Sequence, residues 1–122
     1  MKNNYKLTIV VSLTTIFGFA VTAKAQEWFE GRWATEKRFC KSDGEDSPIS
    51  IDEARADFYE YGCDRVSTRR TTSREWTLKL SCKYDEPESH ERTLILRRTD
   101  GGRLSLIWDN QATQNNLVRC SN

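Results

Sequence analysis

Residues 75–84 read Glu75-Trp76-Thr77-Leu78-Lys79-Leu80-Ser81-Cys82-Lys83-Tyr84. Trp76, Leu78, Leu80, Cys82 and Tyr84 alternate without a break against Glu75, Thr77, Lys79, Ser81 and Lys83. That is the period of a strand with one buried face and one wet face. Beyond it, Asp85-Glu86-Pro87-Glu88-Ser89-His90 is a polar break, and residues 93–98 (TLILRR) resume a β-rich run that pairs back as a hairpin. Asp100-Gly101-Gly102 is a turn in which glycine supplies positive φ, and Leu104, Leu106 and Trp108 alternate in the strand that follows. After a loop rich in Asn and Gln, residues 117–120 form a short closing strand.

Upstream, residues 65–71 form a Thr-rich strand leading into Trp76. Residues 50–62 support two readings. Ser50 with Glu53 makes a capping box, Ile51, Ala54, Phe58 and Tyr61 approximate one helical face, and Gly62 would close the helix. Alternatively, Ile49/Ile51 and Phe58-Tyr59-Glu60-Tyr61 are two short strands around a turn at Glu53-Ala54-Arg55, and this reading agrees better with the meander downstream. Residues 41–48 are a loop, and Gly31-Arg32-Trp33 lies before it within residues 28–39. Seven or eight short strands with polar turns predict an all-β fold: a small antiparallel barrel or curled sandwich held by two disulfides.

The start of the chain has a different character. Residues 1–6 carry Lys2 and Lys6, residues 7–21 are an apolar run, and Ala23-Lys24-Ala25 has the A-x-A form of a cleavage site. Residues 1–25 are therefore expected to be a cleaved secretory signal, leaving a single domain over residues 26–122. No cysteine stands near the cleavage site to be acylated, and no second apolar run follows to span a membrane. The expected location is the bacterial periplasm or the extracellular space. The mature chain of 97 residues carries 16 Lys/Arg against 18 Asp/Glu, a formal charge of −2. That balance and the location argue against nucleic acid as a partner.

Cys40, Cys63, Cys82 and Cys120 read as two disulfides with three connectivities open. Cys40–Cys63 with Cys82–Cys120 is the expected pairing, because it closes one bridge within each half and fastens the chain end. The spacing contains no C-x-x-C and the chain has one histidine, so neither a metal site nor a cofactor is expected.

Gly31-x-Trp33, the cysteine shortly after it, and Gly102-x-Leu104-x-Leu106 resemble small lipocalin-like envelope proteins, among them the periplasmic metalloprotease-inhibitor family of Gram-negative bacteria. The resemblance covers two short patches and implies a barrel and an inhibitory role. Those inhibitors have one bridge where this chain has four cysteines. The initial G-x-W and the late Arg119-Cys120 also resemble a recurring type of exported proteobacterial protein, from which no activity carries over.

His90 is the only imidazole, set in a run where a solvated side chain is the ordinary expectation. Gly-x-Ser-x-Gly, Ser-x-x-Lys and a phosphate-binding glycine loop are absent from the sequence, and paired cysteines leave no thiolate nucleophile. The chain is read as a non-enzyme. Trp33 and Trp76 belong to the core, whereas Trp28, next to Phe29, is either core or an exposed anchor. Charge is segregated: residues 43–60 hold seven acids and one base, and residues 65–83 hold six bases and one acid. Opposed strands of unlike charge would pair across the sheet. The functional alternative is a basic patch of Arg65, Arg69, Arg70 and Arg74 for an anionic partner. The expected function is a protein-binding module that docks on another envelope or extracellular protein with an acidic surface, in one form as an inhibitor of an envelope hydrolase. The alternatives are a small-ligand carrier with a barrel pocket, or a small enzyme using His90.

Overall fold

The computed structural model describes residues 25–120, with 11–12 and 17–19. Most of the expected leader, residues 1–25, lies outside the described residues. Eight strands follow in order: β1 Gly31–Ala34, β2 Ile49–Ile51, β3 Arg55–Phe58, β4 Tyr61–Thr72, β5 Glu75–Lys83, β6 Ser89–Thr99, β7 Arg103–Trp108 and β8 Thr113–Arg119. Each pairs antiparallel with its neighbour in sequence, and β8 returns to β1 through Trp33↔Arg119 and Ala34↔Val118, closing a barrel. Closure removes the two free edges that an eight-stranded meander would otherwise expose.

Alternation explains the interior. Trp76, Leu78, Leu80 and Cys82 of β5 all face inward and are buried, as are Leu94 and Leu96 of β6, Leu104, Leu106 and Trp108 of β7, and Leu117 of β8. Trp33, Ile49, Ile51, Ala56 and Cys63 complete the core from the short strands. A barrel of this strand number is narrow enough to be filled by its own side chains, and this one is.

Residues 49–61 form two strands, not a helix, but their boundaries differ from the expected ones. The turn between β2 and β3 is held by Asp52, whose Oδ1 accepts the N–H groups of Ala54 and Arg55, both at 2.8 Å. An Asx turn of this kind draws the backbone donors away from a helical path. Tyr59-Glu60 is a hairpin turn rather than strand, with Glu60 at φ 69°. His90, expected in a loop, lies in β6 opposite Cys82, because β6 begins at Ser89. Likewise, β8 starts at Thr113, inside the stretch expected to be loop.

The expected disulfide pairing is overturned: the bridges are Cys63–Cys82 and Cys40–Cys120. Cys63 and Cys82 are directly opposite in the β4–β5 register, both fully buried. Cys120 follows β8, which barrel closure lays beside β1, and Cys40 sits in the short 3₁₀ turn Lys37–Lys41 that follows β1. The chain end is fastened, as expected, but to the opposite half of the sequence.

Candidate functional site

Antiparallel order places the turn before β1, the β2–β3, β4–β5 and β6–β7 turns, and Cys120 at one end of the barrel. The residues just ahead of β1 plug that end. Phe29 is fully buried, and the Trp33 indole N–H donates to the Phe29 carbonyl at 2.9 Å, anchoring the plug to the first strand. Trp28 is half-buried, stacked on Trp76 at 5.8 Å between centroids and 13° between planes, and tilted against Trp33 at 5.3 Å. It is neither wholly core nor a free arm, but the outermost layer of an aromatic stack.

Arginines surround this stack because the inward phase of several strands ends in arginine there. Arg98 continues the Leu94, Leu96 phase of β6, and Arg119 the Leu117 phase of β8. The Arg98 guanidinium lies 4.9 Å from the Trp28 ring centroid, and that of Arg119 lies 5.4 Å from it and 4.2 Å from Trp33. Arg70 packs over Trp76 at 5.5 Å and donates to the carbonyls of Thr72 and Ser73. Arg119 donates to the carbonyls of Glu30, at 2.8 Å, and Trp28. Gly31 permits this reach: at φ +143°, a Cβ on it would stand 2.7 Å from Arg119 Nη1. The glycine of the Gly-x-Trp pair thus clears a path for a guanidinium, while its tryptophan receives that guanidinium on its face.

Among the described residues, Arg70, Arg98 and Arg119 have no carboxylate within ion-pair distance. Burial, and then the nearby Arg98 charge, lower the pKa of Arg119. Two donors in the same region, Trp76 Nε1 and Arg65 Nε, are buried without an acceptor. Three guanidinium groups without an ion-pair partner, beside two buried donors without an acceptor, suit an anionic group.

The patch read from sequence is therefore only partly assembled. Arg65 is buried and paired with Glu30 at 2.9 Å. Arg69 faces outward opposite Thr77, and Arg74, in the β4–β5 turn, reaches Asp100 at 3.4 Å. Trp28 and Arg70 belong to the cluster. Arg98 and Arg119 were missed, although each stands in the inward phase of its strand two residues beyond a leucine. Cross-strand ion pairs do form in direct register, Glu75–Arg97 at 2.9 Å and Arg55–Asp64 at 2.6 Å, but they use the lone acid of the basic block and the lone base of the acidic block rather than pairing the two blocks.

At the opposite end, Phe58, Tyr61 and Trp108 form an aromatic group with centroids 5.0 to 6.4 Å apart. They border a cleft of about 160 Å³. Burial, and then the neighbouring Tyr84, raise the pKa of the Tyr61 hydroxyl. His90, also near this end, is exposed and 3.5 Å from Glu86. Among the described residues no group of three or more His, Cys, Asp or Glu side chains is placed to hold a metal ion. No described helix is long and apolar enough to cross a membrane.

Fold and bridges together define a closed eight-stranded antiparallel barrel cross-linked by two disulfides. No protein family, curated protein or solved structure matches the chain.

Proposed function

We propose that this protein is an exported binding module of the periplasm or extracellular space, docking through its arginine–tryptophan end on a partner protein that presents carboxylates. Blocking an envelope hydrolase is one form such docking would take. The observation that carries this reading is the grouping of Arg70, Arg98 and Arg119 around Trp28 and Trp76 with no carboxylate within ion-pair distance among the described residues. Tryptophan and arginine dominate binding hot spots, because each buries a large contact area and guanidinium groups recognise carboxylates through paired hydrogen bonds. The cross-linked frame adds preorganisation, so little order remains to be imposed on association.

Arg98 is the residue to test, since its guanidinium makes no hydrogen bond within the described structure whereas Arg119 and Arg70 also support the backbone. The mature protein is used as bait in envelope extract, beside Arg98→Glu and, as an outward-facing control, Arg69→Glu. The expected result is a recovered protein whose binding weakens with salt, is lost with Arg98→Glu and survives Arg69→Glu. A partner held equally by all three baits, or no partner together with no inhibition of lysozymes or envelope proteases, overturns the proposal.

A further inference from the structure

The cleft at the other end carries opposite chemistry. Its floor is apolar and aromatic, built by Trp33, Ile49, Phe58, Tyr61, Trp108 and Leu117. Its lip is acidic: Glu45 and Asp46, in the 3₁₀ turn Gly44–Asp46 of the β1–β2 loop, stand on its border, and no lysine or arginine does. Among the described residues neither carboxylate has an ion-pair partner. Two guanidinium groups lie against its rings: Arg92, 5.0 Å from the Trp108 centroid, is already met by Asp109 at 2.8 Å, and Arg119, 4.2 Å from the Trp33 centroid, is engaged with the carbonyls of Glu30 and Trp28 at the plugged end.

We infer that this cleft binds a small organic cation: an ammonium group on a short apolar stem, the stem on the aromatic floor and the charge at the Glu45/Asp46 lip. Three features select this ligand. The cleft volume of about 160 Å³ is close to that of a cavity that holds one benzene ring, so it takes a small stem rather than a chain segment. The aromatic faces attract a cation through their quadrupoles, most strongly where water is partly excluded. Unpaired carboxylates beside those faces add attraction for a cation and repel an anion. The two sites open at opposite mouths and share Trp33, whose ring borders this cleft and receives Arg119 from the other side, so the test uses substitutions confined to the Glu45/Asp46 lip.

The test uses the mature protein and three probes of matched stem, butylammonium, 1-butanol and butyrate. Binding is followed through the indole N–H resonance of Trp108, which lies on the cleft and away from the arginine end. Butylammonium is expected to bind roughly three- to tenfold more tightly than 1-butanol, with butyrate weakest. Glu45→Gln with Asp46→Asn, exposed loop changes whose melting curve is checked against the parent, should bring butylammonium down to the level of 1-butanol and leave 1-butanol unchanged. Equal binding of all three probes would show an apolar hollow without charge selection. That result, or no shift with any probe at millimolar concentration, or a butylammonium preference surviving the double substitution, overturns the inference.

Discussion

Glu30, in the turn ahead of β1, and Arg65, on β4, form an ion pair of 2.9 Å whose side chains are 10 % and 5 % exposed. It ties the N-terminal plug to the longest strand, and Arg65 also lies 5.1 Å from the centroid of the buried Phe29 ring. Taking two charges out of water is expensive, and removing one partner leaves the other buried and unmatched. Glu30→Ala should therefore destabilise the protein by about 3–5 kcal/mol. Urea unfolding should show a lower midpoint at unchanged slope, and Glu30→Leu with Arg65→Met should recover most of the loss.

The bridges should open in sequence. Cys63 and Cys82 are both 0 % exposed inside the barrel, whereas Cys40 is only partly buried on the outer loop. Mild reductant should thus open Cys40–Cys120 in the native state, with Cys63–Cys82 following only on unfolding; alkylation and mass analysis over time read the order. Loop closure adds a difference in stability. The bridge spanning 80 residues should contribute about 4.5 kcal/mol and the one spanning 19 about 3 kcal/mol. Replacing both Cys40 and Cys120 by serine should therefore lower the melting temperature through the lost loop constraint, and replacing Cys63 and Cys82 by serine through a smaller lost constraint together with two hydroxyls buried in the core.

Gly31→Ala tests the link between plug and basic end. The substitution asks an L-residue to hold φ +143° and sets its Cβ against Arg119 Nη1. Strain of this kind costs about 1–3 kcal/mol, and moving Arg119 also removes its bonds to the carbonyls of Trp28 and Glu30. A lowered melting temperature is expected, together with a changed Trp28 environment in near-ultraviolet circular dichroism. Arg119→Lys in a Gly31→Ala background should add little, because the geometry it loses is already gone.

Asp109 accepts from Arg92 Nε at 2.9 Å and from the Thr93 N–H at 3.1 Å. The Arg92 hydrogen bond first, and the Thr93 N–H after it, hold its carboxyl below the ordinary value of 3.8. A folded pKa below the unfolded one gives stability that is complete above the unfolded value and is lost as pH falls through the folded one. The parent should therefore lose stability below about pH 4 more steeply than Asp109→Asn. Parallel melts from pH 6 to pH 2 measure the difference, and NMR titration of Asp109 should give a midpoint below 3.8.

What the sequence determined by itself is local. The alternation of residues 75–84 places β5 to within one residue, Tyr84 lying exposed just beyond its end, because a period of two needs nothing beyond the strand itself. The Asp100-Gly101-Gly102 turn was legible for the same reason, since glycine relieves a steric restriction within a few residues. The disulfide pairing was not legible. Cys63 meets Cys82 only if β4 extends back to Tyr61 and its register passes two irregularities, at Arg65/Ser67 and Arg70/Thr72. An extra residue at a bulge changes which side chains oppose one another, and alternation alone does not reveal it. Cys40 reaches Cys120, and Arg119 reaches Trp28, only because β8 closes on β1. Closure brings together residues separated by most of the chain, and it depends on strand number, tilt and the filling of a shared interior. The basic end is therefore a property of the barrel. Five strands and the N-terminal plug meet there, and no short stretch of the chain contains it.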